Sequence, residues 1–321
     1  MAGRAMTTAR GLMGSMLLAV VAVVGLAVPV PTVAATLSPA TTTLATGACI
    51  SLSDQPNGVP AGVGAGLAFG PAGDGRVWSV SNATTSAFVA VDPSTNLLTQ
   101  YRQGYTFLRG TASGPDGKVW STAYVEDVVV RISTAGALEE FAVPPGARPW
   151  DIAAGPDNAM YFTLQGTNRI GRIDATTLAY SDFPVPSGAN PDGTPIVPNV
   201  YNLQGIVLGA DGNLWFAEAV AKKIGRLTPA GVISEFPLGL LSSEPAFLTP
   251  RAAYNGAPQS GEIWFTESSG GQSIGRIGTD GTLLAEYPII SPDGGITPSA
   301  PRGIGTGLDA SGKCHALADT P

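Results

Sequence analysis

Residues 203–218 read LQGIVLGADGNLWFAE, an octet followed by an Asp-Gly turn and an apolar strand that carries Trp215 and ends on Glu218. An Asp-Gly pair between two apolar runs is a strong local signal for a tight hairpin. The unit recurs. Matching octets stand at 64–71 (GAGLAFGP), 108–115 (LRGTASGP), 149–156 (PWDIAAGP), 250–257 (PRAAYNGA) and 301–308 (PRGIGTGL). Each precedes a turn and a strand: GDGRVWSV, DGKVWSTA, DNAMYFTL, SGEIWFTE and, in the last copy, SGKCHALA. The aromatic anchors fall at Trp78, Trp120, Tyr161, Trp215 and Trp264, with Cys314 and His315 in the sixth slot.

Behind the first five copies comes a second hairpin: VVVRISTAGALEEF, RIGRIDATTLAYSDF, KIGRLTPAGVISEF and SIGRIGTDGTLLAEY, with AFVAVDPSTNLLTQY as the divergent first copy. Spacings of 41 to 54 residues between octets suit the four-stranded blades of a β-propeller better than short solenoid repeats. The expected fold is therefore all-β, a propeller whose six anchors favour six blades over seven. Five second halves serve six first halves, so the last blade needs an outer strand. The segment Cys49-Ile50-Ser51-Leu52 is expected to supply it and close the ring.

Composition agrees. Gly 42 and Pro 27 among 321 residues, with only 13% charged, favour turns and short strands over a helical bundle. The formal net charge is −7, and the four lysines, Lys118, Lys222, Lys223 and Lys313, form no basic stripe. The electrostatic attraction that drives nucleic-acid binding is missing, which excludes DNA and RNA as principal partners. At the N-terminus Arg4 and Arg10 precede an apolar run from Leu12 to Val28 and small residues ending at Ala35, with no acid before residue 36. This pattern reads as a secretory signal peptide over 1–35 and a mature propeller domain over 36–321. The alternative, an uncleaved anchor, meets a run just short of the ~20 residues a spanning helix needs. The expected product is a secreted monomer with no stable membrane span.

Export exposes thiols to oxidation, and the chain has two cysteines, Cys49 and Cys314. A disulfide joining the two ends of the domain is expected, against the alternatives of two free thiols or an intermolecular bridge.

In a repeat protein, a residue present in every blade reads as scaffold, and an equivalent position with varying chemistry reads as a site. Arg131, Arg172, Arg226 and Arg276 recur, as do Glu140, Asp182, Glu235 and Glu286 in the following strand, so they are expected to form charge pairs. The second octet residue varies instead: Ala65, Arg109, Trp150, Gln204, Arg251 and Arg302. In a propeller these side chains ring the mouth of the axial funnel, and the strands ending WFAE and WFTE return Glu218 and Glu267 to the same face. Long connections at 184–203, 237–249 and 288–300 lie over it, which is where rigid scaffolds carry function. The expected site binds a small polar or anionic ligand, or an extracellular protein, through these arginines. The alternative is that Arg109, Arg251 and Arg302 pair with Glu218, Glu267 and Glu244 in a wet channel.

GADGNLWFAE, GVISEFPL, SGEIWFTE and SIGRI resemble the repeats of the virginiamycin B lyase family, also called streptogramin lyases, most strongly over residues 149–290. The resemblance implies a propeller, seven-bladed in the known lyases, that linearises a cyclic depsipeptide by magnesium-assisted elimination with funnel histidines and glutamates. It therefore implies Mg2+ as a cofactor. The family's Glu-Pro-His triplet stands here as Glu244-Pro245-Ala246, and arginines 251 and 302 occupy ring positions where the family has histidine. Glu267 matches the family's carboxylate. Glu267 and Glu244 are thus the candidate catalytic residues of an enzyme reading, a C–O lyase or a lactone or ester hydrolase. The sole histidine, His315, lies in the degenerate last strand, where packing or surface is its expected role. Neither a P-loop, a GxSxG elbow nor a zinc-ligand spacing is present.

Overall fold

The computed structural model describes residues 34–36, 40–43, 67–81, 86–102, 104–187, 202–239, 244–250, 261–268, 273–288, 303–308 and 314–319. Among them there is no helix, and the strands form six antiparallel sheets in chain order. Two short strands come first, β1 (Ala34–Thr36) and β2 (Ala40–Thr43). Blade 1 is β3 (Leu67–Phe69), β4 (Val77–Val80), β5 (Ala87–Asp92) and β6 (Leu97–Arg102). Blade 2 is β7 (Leu108–Ser113), β8 (Val119–Ala123), β9 (Val128–Ile132) and β10 (Ala137–Ala142). Blade 3 is β11 (Pro149–Ala154), β12 (Ala159–Leu164), β13 (Arg169–Asp174) and β14 (Tyr180–Pro184). Blade 4 is β15 (Leu203–Leu208), β16 (Leu214–Glu218), β17 (Lys223–Leu227) and β18 (Ile233–Pro237). Blade 5 is β19 (Pro245–Pro250), β20 (Glu262–Glu267), β21 (Ser273–Gly278) and β22 (Leu283–Pro288). Blade 6 is described as the hairpin of β23 (Gly303–Leu308) and β24 (Cys314–Asp319).

Within each blade the strands neighbour one another in sequence order, and β3, β7, β11, β15, β19 and β23 lie side by side. That is a β-propeller. Strands β2 and β1 pair with β6 and β10, adding a fifth strand to blades 1 and 2 at their outer edges. Residues 49–52, the expected closing strand, lie outside the described residues.

The anchors pack as their recurrence requires. Trp78, Trp120, Tyr161, Trp215 and Trp264 each stack on an aromatic of their blade's fourth strand, Tyr101, Phe141, Phe183, Phe236 and Tyr287, with centroids 5.1 to 6.4 Å apart. At four of these anchors a turn aspartate four residues earlier fixes the ring. It accepts from the indole at Asp74, Asp116 and Asp211 and from the Tyr161 hydroxyl at Asp157. The repeated arginines lie over the same rings, Arg131 at 5.2 Å from Trp120 and Arg226 at 5.6 Å from Trp215, which adds cation–π attraction to the stack. Glycines 171, 225 and 275 in the third strands leave room for Phe162, Phe216 and Phe265, because a Cβ there would fall 2.0 to 2.2 Å from the ring. These rings fill the clusters between consecutive blades.

Two sequence expectations need correction. The repeated arginines do not pair with Glu140, Asp182 and Glu235. Arg131 bonds Asp116 at 2.8 Å and Glu139 at 2.6 Å, and Arg172 bonds Asp157 at 2.7 Å. Glu140 instead accepts from the Tyr105 hydroxyl, Asp182 pairs with Arg169 and Glu235 with Lys223. Strand alternation explains it: Asp182 and Glu235 stand opposite Gly171 and Gly225, one place off the arginines, and so face the other side of the sheet. Second, the innermost strand of blade 5 is Pro245–Pro250, ahead of the octet at 250–257. Pairing of Pro245 with Glu267 and of Leu248 with Phe265 sets that phase.

Candidate functional site: the bulged funnel face

Blades 2 to 5 carry a β-bulge at the same place. Leu108 pairs with Ala123 and Thr111 with Ser121; Pro149, Leu203 and Pro245 pair with Leu164, Glu218 and Glu267, and Ile152, Ile206 and Leu248 with Phe162, Phe216 and Phe265. One extra residue on the innermost strand bends it and re-aims the second and third side chains. Those pairs are Arg109-Gly110, Trp150-Asp151, Gln204-Gly205 and Ala246-Phe247. Threonines of the second strands bolt the bulges across blades: Thr122 Oγ1 donates to the Trp150 carbonyl at 2.6 Å and Thr163 Oγ1 to the Gln204 carbonyl at 2.7 Å. The varying ring thus sits on a repeated, rigid backbone device.

On this ring Arg109 and Trp150 meet. The Arg109 guanidinium carbon lies 4.1 Å from the Trp150 ring centroid, and Tyr124 packs edge-on against Trp150 at 5.6 Å. Arg109 also lies 5.7 Å from the rings of Phe107 and Tyr124. Gln204 is half-buried in the next blade.

Asp151 was not singled out by its sequence, though it stands where Gly110 and Gly205 stand in the neighbouring octets. Its residue keeps some exposure while its carboxyl turns in between blades. It accepts from Ile152 N–H at 2.9 Å and, across to blade 4, from Ile206 N–H at 3.0 Å. Burial pushes the carboxyl up to about 6 against the pull of those two amides. Gly110 is obligatory beside it, since a Cβ would meet Asp151 Oδ1 at 2.3 Å and Ile152 N at 2.6 Å.

The carboxylates gather at blades 4 and 5. Glu218 is fully buried, and neither of its oxygens has a hydrogen-bond partner among the described residues. Burial, then the nearby Glu235 carboxylate, pushes it up to about 8, with Lys223 and Asn202 opposing. Burial acts on Glu235 too, yet hydrogen bonds from Ser187 and Lys223 hold it below the usual carboxylate range. Glu267 is also fully buried and accepts from the Ser273 hydroxyl. The Glu244 carbonyl accepts Ser268 N–H at 2.9 Å, so the two candidate catalytic glutamates lie on adjoining chain ends.

The ring position of blade 5 falls on Ala246, which is buried. Arg251 follows the end of β19, and it, Arg302, Cys49 and the Cys314 side chain lie outside the described residues. Among the described residues no three His, Cys, Asp or Glu side chains converge. Magnesium takes an octahedral set of oxygen donors, and the described glutamates, Glu218 fully buried and Glu267 bound to a serine, do not assemble one.

The described architecture defines a β-propeller with a bulged, chemically asymmetric funnel face, with arginine and aromatics at blades 2 and 3 and buried carboxyls from blade 3 to blade 5. The sequence profile of the Virginiamycin B lyase family matches residues 54–294, and the chain belongs to that family. It is similar to a catalytically inactive histidine-to-alanine variant of virginiamycin B lyase from Staphylococcus aureus with quinupristin, at 28% identity and TM-score 0.61 over 78% of this chain and 75% of that one. A streptogramin B lyase structure aligns at 24% identity and TM-score 0.56, covering 88% of this chain and 95% of that one. A gluconolactonase from Xanthomonas campestris shares the fold at 13% identity and TM-score 0.51, over 81% and 84% of the two chains. Among curated proteins none matches the sequence.

Proposed function

We propose that this chain is an exported member of the family that binds a small polar or anionic ligand, or an extracellular protein, at its funnel face and lacks streptogramin lyase chemistry. The observation that carries the reading is the Arg109 guanidinium held 4.1 Å over Trp150 on two bulged, neighbouring strands. A guanidinium oriented by an aromatic plane is prepared for a carboxylate or phosphate. Eliminating across an ester needs a base that works near neutral pH, usually histidine. Ala246 stands in the triplet where the family has histidine, and the single His315 lies in β24 opposite Gly307. The S. aureus relative, in which one histidine is replaced by alanine, is catalytically inactive.

The enzyme reading, a C–O lyase or a lactone or ester hydrolase, draws support from the adjoining chain ends of Glu244 and Glu267. Calorimetric titration of the exported protein with acetate and with inorganic phosphate tests the binding reading. Saturable binding that weakens in high salt and falls about tenfold in Arg109→Gln is expected. An Arg109→Gln protein that binds as the wild type does, or no anion binding at all, would sink it.

A further inference from the structure

The slot that follows the ring residue is Gly110 in blade 2, Gly205 in blade 4 and Phe247 in blade 5, whereas blade 3 has an acid there, Asp151. Both of its oxygens are engaged by backbone. Oδ1 accepts Ile152 N–H at 2.9 Å, at the bulge of its own blade, and the other oxygen accepts Ile206 N–H at 3.0 Å, the equivalent amide of blade 4. Asp151 N–H donates to Thr163 Oγ1 at 3.1 Å, and that hydroxyl donates to the Gln204 carbonyl at 2.7 Å. The threonine contact has a counterpart one blade earlier, from Thr122 to the Trp150 carbonyl. The carboxylate contact has none in a slot that is glycine. Asp151 therefore adds a second tie between the strands that carry Trp150 and Gln204.

That tie depends on the proton. An ionised carboxyl accepts at both oxygens, which is what two facing amides require. A protonated one carries a hydrogen on one oxygen and sets a donor against an N–H there. Charge nearby does little to decide which form is present. Arg109 is the one charged side chain on β7, Tyr161 the one titratable group on β12, and β15 carries neither kind. What acts on the carboxyl is burial, which pushes it up to about 6, opposed by the two amides. On its blade 2 side the carboxyl abuts Gly110, the neighbour of Arg109, where a Cβ would fall 2.3 Å from Oδ1.

We propose that Asp151 is a positioning residue of the funnel ring: as a carboxylate it holds the bulges of blades 3 and 4, and with them Trp150 and Gln204, in one arrangement for an anionic ligand, and a proton on it releases blade 4. The proposal rests on the funnel-binding reading and adds its regulation by pH. The direction of the effect separates positioning from charge. Neutralising an acid close to an anion site strengthens anion binding through the field alone. Loosening the ring weakens it.

The test is calorimetric titration of the purified protein with sulfate, whose charge is constant between pH 5 and pH 7, on wild type, Asp151→Asn and Asp151→Gly. Asparagine keeps the shape and one acceptor oxygen, and glycine is the residue of the neighbouring slots, so either variant serves if the other fails to fold. At pH 7 wild type should bind sulfate about fivefold more tightly than the variants. At pH 5 it should match them, with the change centred at about 6. The direction of the wild-type profile, weaker toward acid, decides even if neither variant folds. A wild-type to variant ratio that is equal at both pH values, or larger at pH 5, overturns the role of Asp151 and leaves anion binding intact; no sulfate binding by wild type at either pH overturns the funnel-binding reading as well.

Discussion

Replacing Glu218 by glutamine should change how stability depends on pH. The carboxyl is fully buried beside Glu235, with no hydrogen bond to either oxygen among the described residues. In the folded protein it keeps its proton up to about 8, whereas an ordinary glutamate loses it near 4.5. Between those values the folded state binds more protons than the unfolded chain, so stability falls as pH rises through the interval. At about 1.4 kcal/mol per pH unit, the loss between pH 5 and pH 9 is on the order of 4 kcal/mol from this one group. Glutamine is a neutral isostere of the protonated acid and has no such slope. Urea unfolding of wild type and Glu218→Gln at both pH values isolates the effect, because Asp151 and other titrating groups are common to both proteins. The variant should lie within about 1 kcal/mol of wild type at pH 5 and exceed it by several kcal/mol at pH 9. Parallel pH profiles for the two proteins would falsify the reasoning.

Other expectations follow from packing and oxidation. Gly110→Ala should cost roughly 2 kcal/mol or more in thermal or urea unfolding, because the new Cβ runs into Asp151 and the Ile152 backbone. Asp116→Ala strips the Trp120 indole and the buried Arg131 of their shared acceptor and should cost about 3 kcal/mol; a loss below 1 kcal/mol would show the turn aspartate to be dispensable. If the proposed export and cleavage occur, intact mass should correspond to a chain starting near Thr36 with one disulfide between Cys49 and Cys314, and an uncleaved chain or two titratable thiols would contradict it.

The scaffold is readable because each blade repeats it. Trp anchors, Asp-Gly turns and IGRI strands carry local information, and the stacked pairs from Trp78 to Tyr287 follow from it. The rest depends on register. The octet at 250–257 shares its Pro-Arg start with the copy at 301–308, but the phase of β19 is set by cross-strand pairing with Glu267. That puts Ala246 at the ring position of blade 5. The acids expected to partner the arginines stand one residue off, on the opposite side of a strand with period two. Asp151 is legible in principle as an acid in a slot that is glycine at Gly110 and Gly205. The bulge that gives it meaning is a two-strand property that no single segment displays.

The central claim, binding without lyase chemistry, is tested most directly by incubating the purified protein with quinupristin, with and without magnesium. Elimination opens the ring with no change of mass and hydrolysis adds one water, so chromatographic retention and fragmentation distinguish the intact ring from either product. The account predicts intact antibiotic under both conditions, because Ala246 and not a histidine follows Glu244-Pro245. A linear isomer that forms in wild type and disappears in Glu267→Gln would contradict it and establish a carboxylate-driven lyase.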